Sequence, residues 1–170
     1  QKRGYFVKGL DESRALLTSM VKELRDFGVR SSTSEPVRAA QDTVERICRG
    51  FPAFAKQLQS RHGDRQTITM NDEYDVQDAI HALLRIWFED VRPEEYTPSY
   101  AGSSSRMDFL VMSENLVVEI KFARAGRSVK NIREELIVDI HQYQKHPNCH
   151  VLICFLFDPE MSVPNPAGFE

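Results

Sequence analysis

Apolar residues recur at helical spacing through the first half of the chain and gather into strand-like runs in the second. Leu16, Leu17, Met20, Val21 and Leu24 predict an amphipathic helix over residues 13–27, stopped by Gly28. Residues 30–36 (RSSTSEP) are a polar, turn-rich break. Beyond it, residues 37–49 read as a second helix ended by Gly50. Residues 52–59 read as a short third helix, with Pro52 at an early position that tolerates proline. Residues 61–70 read as a loop. A further helix spans 71–88, capped by Asn71 or Asp72, with Val76, Ile80, Leu83, Leu84 and Trp87 toward the core.

From there the periodicity changes. Residues 91–99 hold two prolines and suit only a short extended strand, and residues 102–105 (GSSS) read as a turn. Residues 106–112 and 116–123 are β-runs joined through Ser113-Glu114-Asn115, which reads as a hairpin. Residues 128–145 form a long helix with Val129, Ile132, Leu136, Ile140 and Tyr143 on one side, ended by Pro147. The run HVLICFLF, residues 150–157, is nearly all apolar, as expected of a strand buried on both faces. The hairpin must be antiparallel, whereas strand–helix–strand favours a right-handed parallel crossover. The expected fold is α/β: a mixed sheet flanked by helices, an αβββαβ core, preceded by an α-helical segment. The expected division is a helical N-terminal segment over residues 1–65, serving dimerisation, partner binding or substrate gating, and a core over residues 66–170.

The 170 residues are 41% hydrophobic and 28% charged, enough apolar content for one sizeable core. No apolar stretch approaches the roughly 18 residues needed to cross a bilayer, so no membrane partner is expected. Gln1 in place of an initiator methionine fits a processed chain or a piece of a longer one. Cys48, Cys149 and Cys154 make no CxxC pair and no even set, which fits a reducing cytoplasm. With 22 basic and 25 acidic residues, the net charge of -3 neither suggests nor excludes nucleic acid. Lys121, Arg124, Arg127, Lys130 and Arg133 nevertheless form a basic run without an intervening acid. Such a run serves equally as a solvated face or as a surface for phosphates.

The chemistry concentrates in LVVEIKFA, residues 116–123. Alternation places Val117, Glu119, Lys121 and Ala123 on one face of that strand. In the partner run RMDFLVM, Asp108 shares a face with Arg106 and Leu110. A two-residue turn at Glu114-Asn115 would pair Ser113 with Leu116 and set Asp108 opposite Lys121. A slip of one residue would send Asp108 to the other face. Two close carboxylates repel one another, and a hard divalent cation relieves that repulsion while taking oxygen ligands. Such a cation polarises a phosphate oxygen and acidifies a bound water, while a neighbouring ammonium orients that water. A strand carrying E-x-K is more often a solvated face with an ordinary ion pair. Asp108, on a hairpin flanked by helices and followed by a buried strand, makes the pattern more specific.

Asp108, then ten residues, then Glu119-Ile120-Lys121, in this order of elements, resembles the PD-(D/E)XK nuclease superfamily over roughly residues 71–158. Met107 stands where that motif has proline. The stretches EYDVQDAIHALL, PSYAGSSSRMDFLV, VVEIKFAR, EELIVDIHQY and NPAGFE resemble, more narrowly, restriction-endonuclease-like domains of the DpnII/MboI kind. The resemblance implies a restriction-endonuclease-like core and Mg²⁺-dependent cleavage of DNA, less often RNA, with Mn²⁺ able to substitute. It implies metal ligation by Asp108, Glu119 and the Ile120 carbonyl, with Lys121 as the catalytic lysine. It also points to Glu73, an acid on the first core helix, as a further catalytic residue. Gln77, Arg106, Arg124, Arg127 and Lys130 are the expected nucleic-acid contacts, and a homodimer would allow both strands of a duplex to be cut.

Duller explanations stand beside each of these. Glu73 suits the first turn of any helix. Glu135, Asp139, Gln142 and His146 form a polar stripe most simply read as a solvated face, and Arg106 could pair with a carboxylate. His141, His146, Cys149 and His150 match no common zinc spacing. The main rivals to a nuclease are a silent nuclease-fold domain that binds nucleic acid and a protein-interaction module built on the N-terminal helices.

Overall fold

The computed structural model describes residues 3–8, 35–97, 105–124, 126 and 128–163, with residues 3–8 and 64 through their backbone only. Its elements are β1 (Arg3–Lys8), α1 (Glu35–Gln59), α2 (Glu73–Trp87), β2 (Val91–Tyr96), β3 (Arg106–Val111), β4 (Leu116–Phe122), α3 (Val129–Tyr143) and β5 (Val151–Phe157). Short 3₁₀ turns lie at His62–Asp64 and Met112–Glu114. The expected helix over 13–27 and all but the last residue of the GSSS turn lie outside the described residues.

The strands form one mixed sheet in the order β1-β5-β4-β3-β2. β2, β3 and β4 pair antiparallel, and β5 runs parallel to β4. The αβββαβ order read from the sequence is present from α2 to β5. β1 was not expected. It pairs parallel with β5 from Arg3↔Val151 to Lys8↔Leu156, far away in the chain, so no local pattern announces it. β5 therefore has neighbours on both edges and helices on both faces, and all seven of its residues are buried.

Two cores sandwich the sheet. Val118, Ile120, Phe122, Ile153, Phe155 and Phe157 pack against α1 and α2. Val117, Leu152, Cys154 and Leu156 pack on the other face with Ile132, Leu136 and Tyr143 of α3. The strand alternation that sorts these residues is the ordinary two-residue period.

Three local expectations are corrected. The helices expected over 37–49 and 52–59 are a single helix that runs through Gly50 and Pro52. Glycine and proline inside a helix cost roughly 1 and 3 kcal/mol. Burial outweighs them, because Ala40, Val44, Cys48, Phe51 and Ala55 fall on one face and enter the core. Phe51 alone meets Phe155 and Phe157 edge-on, with ring centroids 5.6 and 5.1 Å away. Trp87, expected in the core, is 63% exposed, because α2 ends there and Phe88 turns to extended backbone. The hairpin turn is longer than expected: Val111 pairs with Leu116, leaving four residues to close it. Asn115 supplies the left-handed conformation (φ 52°) that this closure requires, a region asparagine tolerates better than most residues.

Replacing Phe51 with alanine should therefore destabilise the whole domain by about 3–5 kcal/mol in urea unfolding, in one cooperative transition. A near-neutral change would show that α1 is only loosely attached to the sheet.

Candidate active site

The longer turn shifts the hairpin register by two residues, so the ladder's arithmetic sets Asp108 opposite Glu119 rather than Lys121. An even shift keeps the parity of the ladder, but the cluster itself forms because the Asp108 carboxylate turns into the gap between β3 and β4. The regular ladder between β3 and β4 runs from Val111↔Leu116 to Phe109↔Val118. At the next position the Asp108 carboxylate takes over: its Oδ2 accepts a hydrogen bond of 2.7 Å from the Ile120 amide. Two residues on, the Phe122 amide donates to Glu73 Oε2 at 3.2 Å. Amides of β4 thus find side-chain acids of β3 and α2, and the sheet forks.

The other neighbour of β3 loosens at the same point. β2 pairs Pro93 with Phe109 and Glu95 with Met107, skipping Glu94. Glu94 sits at φ 55°, a strained conformation for a non-glycine residue. Its carboxylate reaches Arg106 Nη1 at 2.9 Å. Met107 and Leu110 pack in the same cluster although three residues apart, so the strict alternation of β3 breaks around Asp108.

A cavity of about 210 Å³ occupies the fork. Glu73, Tyr74, Gln77, Glu94, Arg106, Met107, Asp108, Glu119, Lys121, Asp139 and Tyr143 line it. Gln77 Nε2, on α2, donates to Asp108 Oδ1, on β3, at 2.8 Å. Lys121 Nζ lies 2.5 Å from Glu119 Oε1 and 3.0 Å from Asp139 Oδ2. The approach to Asp139 lacks the direction of a hydrogen bond, so it is read as an ion pair, which depends on distance. The Tyr143 hydroxyl lies 2.8 Å from Glu119 Oε2 and 3.0 Å from the Arg106 carbonyl, with its one proton shared between these two acceptors. Glu119 and Lys121 are 3% and 7% exposed, respectively, which rules out the solvated-face reading of E-x-K.

Burial dominates the electrostatics. It raises the Asp108 pKa to about 6; the Ile120 amide and the Lys121 charge pull the other way, and Glu73 and Asp139 push further up. Burial and then the charge on Asp108 raise Glu119 to about 8, against the pull of Lys121. For Lys121 burial favours loss of the proton, but Glu119 and Asp139 outweigh it and hold the ammonium above its ordinary range. Burial, followed by the nearby carboxylates, keeps the Tyr143 hydroxyl protonated.

The lining thus carries five acids and two bases. A phosphate would be repelled from such a cavity unless a cation accompanied it. Among the described residues no three His, Cys, Asp or Glu side chains are already gathered as a metal cluster. The donor set nonetheless fits a hard divalent ion. Asp108 and Glu119 supply oxygens, and each of these carboxylate oxygens accepts one hydrogen bond in the contacts above, leaving further acceptor capacity.

Arg124 lies outside this cavity, in an adjoining groove of about 870 Å³ with Asp72, Glu73, Tyr74, Phe122, Gly126 and Asn131. Lys130 is exposed and lies 3.7 Å from Glu134 in an ion pair. Arg127 lies outside the described residues. Asp139 and Tyr143 were missed as site residues. They stand four apart on α3, hence on one helix face, but Tyr143 scored as core and Asp139 as part of a solvated stripe. Only the position of α3 against Glu119 and Lys121 separates them from those ordinary roles.

A family model described as the DpnII-MboI restriction endonucleases (REase DpnII-MboI) matches residues 42–170. The match takes in most of α1 and every later element. Neither curated proteins nor solved structures give a match.

The raised carboxyl pKa values have a consequence for stability. A carboxyl whose folded pKa exceeds its unfolded one favours folding while protonated. That advantage is full below about pH 4 and is lost as pH rises through about 6 for Asp108 and about 8 for Glu119. Without divalent ions the melting temperature should therefore fall between pH 5 and 9. Added Mg²⁺ should raise it more at pH 9 than at pH 5, and equal shifts at both would contradict this electrostatic account.

Proposed function

The chain belongs to the DpnII-MboI family of restriction endonucleases, a family of DNA nucleases, and from that membership we propose that it hydrolyses DNA phosphodiesters in a divalent-cation-dependent reaction at the fork between β3 and β4. The observation that carries this reading is the convergence of Asp108, Glu119 and Lys121, from two strands, on one strongly acidic cavity, with Glu119 and Lys121 buried.

In this reading the carboxylates of Asp108 and Glu119 and the Ile120 carbonyl hold Mg²⁺, or Mn²⁺ in its place. The bound ion supplies polarisation of the phosphate and a lowered pKa for a ligated water. The ammonium of Lys121, fixed between two acids, donates a hydrogen bond that orients the attacking water or stabilises charge on the phosphoryl oxygens. Water attacks phosphorus in line, the bond to the 3′-oxygen breaks, and that oxygen takes up a proton. The products are a 5′-phosphate and a 3′-hydroxyl. Gln77 aligns Asp108 rather than meeting the substrate first, as its 2.8 Å contact suggests. Arg124, which lines the larger groove, is proposed to meet a flanking phosphate. Arg106, Lys130 and Arg127 remain further proposals for DNA contact, and Glu73 for completing the acidic site. We place the activity in restriction or anti-phage defence.

Supercoiled plasmid incubated with the protein should be nicked or linearised with Mg²⁺ or Mn²⁺ and left intact with EDTA. Asp108→Asn and Lys121→Ala, each checked for folding by circular dichroism, should lose on the order of 10²- to 10³-fold in rate, the scale of losing one charge-stabilising donor. Equal cutting by Lys121→Ala and wild type would refute the assignment.

A further inference from the structure

Glu119 and Lys121 do not hold their own positions. Each side chain leaves β4 on the face covered by α3, and each meets a partner on that helix: Glu119 meets the Tyr143 hydroxyl at 2.8 Å, and Lys121 meets Asp139 at 3.0 Å. The two partners stand one helical turn apart, matching the two-residue spacing of Glu119 and Lys121 along the strand. One strand advances about 6.6 Å over two residues and one helix about 6 Å over four, so the two rows stay in step.

Tyr143 has a second contact that a packing residue would lack. Its hydroxyl lies 3.0 Å from the Arg106 carbonyl on β3. Arg106 precedes Asp108, on the strand that has parted from β4. One hydroxyl from α3 therefore touches both arms of the fork, at a depth where the Tyr143 ring is 1% exposed. A phenol shared between the arms limits how far they separate, and with them the carboxylates of Asp108 and Glu119.

We propose that Tyr143 and Asp139 are positioning residues: Tyr143 ties the two arms of the fork and aims Glu119, and Asp139 holds Lys121 beside it. The inference rests on the nuclease reading above and adds two residues to it. Both act through another residue and touch neither DNA nor the reacting atoms. Partners that orient metal-binding side chains commonly contribute tenfold or more to ion affinity or rate. Removing the hydroxyl while keeping the ring separates this role from core packing.

The test uses the full chain with Tyr143→Phe, Asp139→Asn and Asp139→Glu. Calorimetric titration with Mn²⁺ in the absence of DNA should show Tyr143→Phe binding roughly 10-fold or more weakly, with a melting temperature close to wild type. Plasmid cleavage should show reduced kcat with unchanged KM for DNA in Tyr143→Phe and in Asp139→Asn. Asp139→Glu, which keeps the charge, should retain more of the rate than Asp139→Asn. Wild-type Mn²⁺ affinity and wild-type kcat in Tyr143→Phe would overturn the positioning role and leave the nuclease reading intact. A raised KM with unchanged kcat would also overturn it, because it would assign these residues to substrate binding. A wild-type protein that neither binds Mn²⁺ nor cuts DNA would defeat the nuclease reading and this inference together.

Discussion

The hydrogen bond from the Ile120 amide to the Asp108 carboxylate is the point from which the rest of the site follows. A backbone amide in the middle of a sheet must find an acceptor. Here it finds a side chain instead of a strand carbonyl, so the sheet opens without leaving an unsatisfied donor. The opening creates the cavity, and the substitution delivers a carboxylate to its wall. Glu73 does the same for the Phe122 amide one step along. A site made this way is inseparable from the fold, since the groups that would bind a cation also complete the hydrogen bonding of β4.

The acidity of the cavity has the same origin. Asp108, half-buried, and Glu119, buried, come from adjacent strands, with desolvation and like charge both favouring their protonated forms. Lys121 offsets part of that cost but is shared with Asp139. The arrangement is electrostatically incomplete without a further positive charge. That incompleteness is what a divalent ion and a polyanionic substrate would together resolve, and it agrees with membership in a restriction endonuclease family.

Much of this was legible in the order of residues, and the failures have physical causes. The run VLICFLF announced a doubly covered strand because burial on both faces removes the need for polar positions. Asp108, Glu119 and Lys121 were singled out by strand parity; the hairpin register was misjudged by an even number of residues, but β3 loses its alternation at Asp108, and the three meet because that carboxylate turns toward the Ile120 amide in the fork. β1 was illegible because its strand partner among the described residues is nearly 150 residues away. The helix break at Gly50 was wrongly read because local propensity was weighed without the aromatic contacts of Phe51 that override it. Asp139 was read as solvated because a carboxylate on an amphipathic helix is usually so; its ion pair with Lys121 depends on where the helix docks.

The proposed mechanism requires one hard cation between the two arms of the fork. A crystal structure with Mn²⁺, with the ion located by its anomalous scattering, tests it directly. A peak is expected within roughly 2.0–2.3 Å of oxygens of Asp108, Glu119 and the Ile120 carbonyl. An ion bound elsewhere, with Asp108 still held by Gln77 and Glu119 by Tyr143 and Lys121 and no density between them, would contradict it.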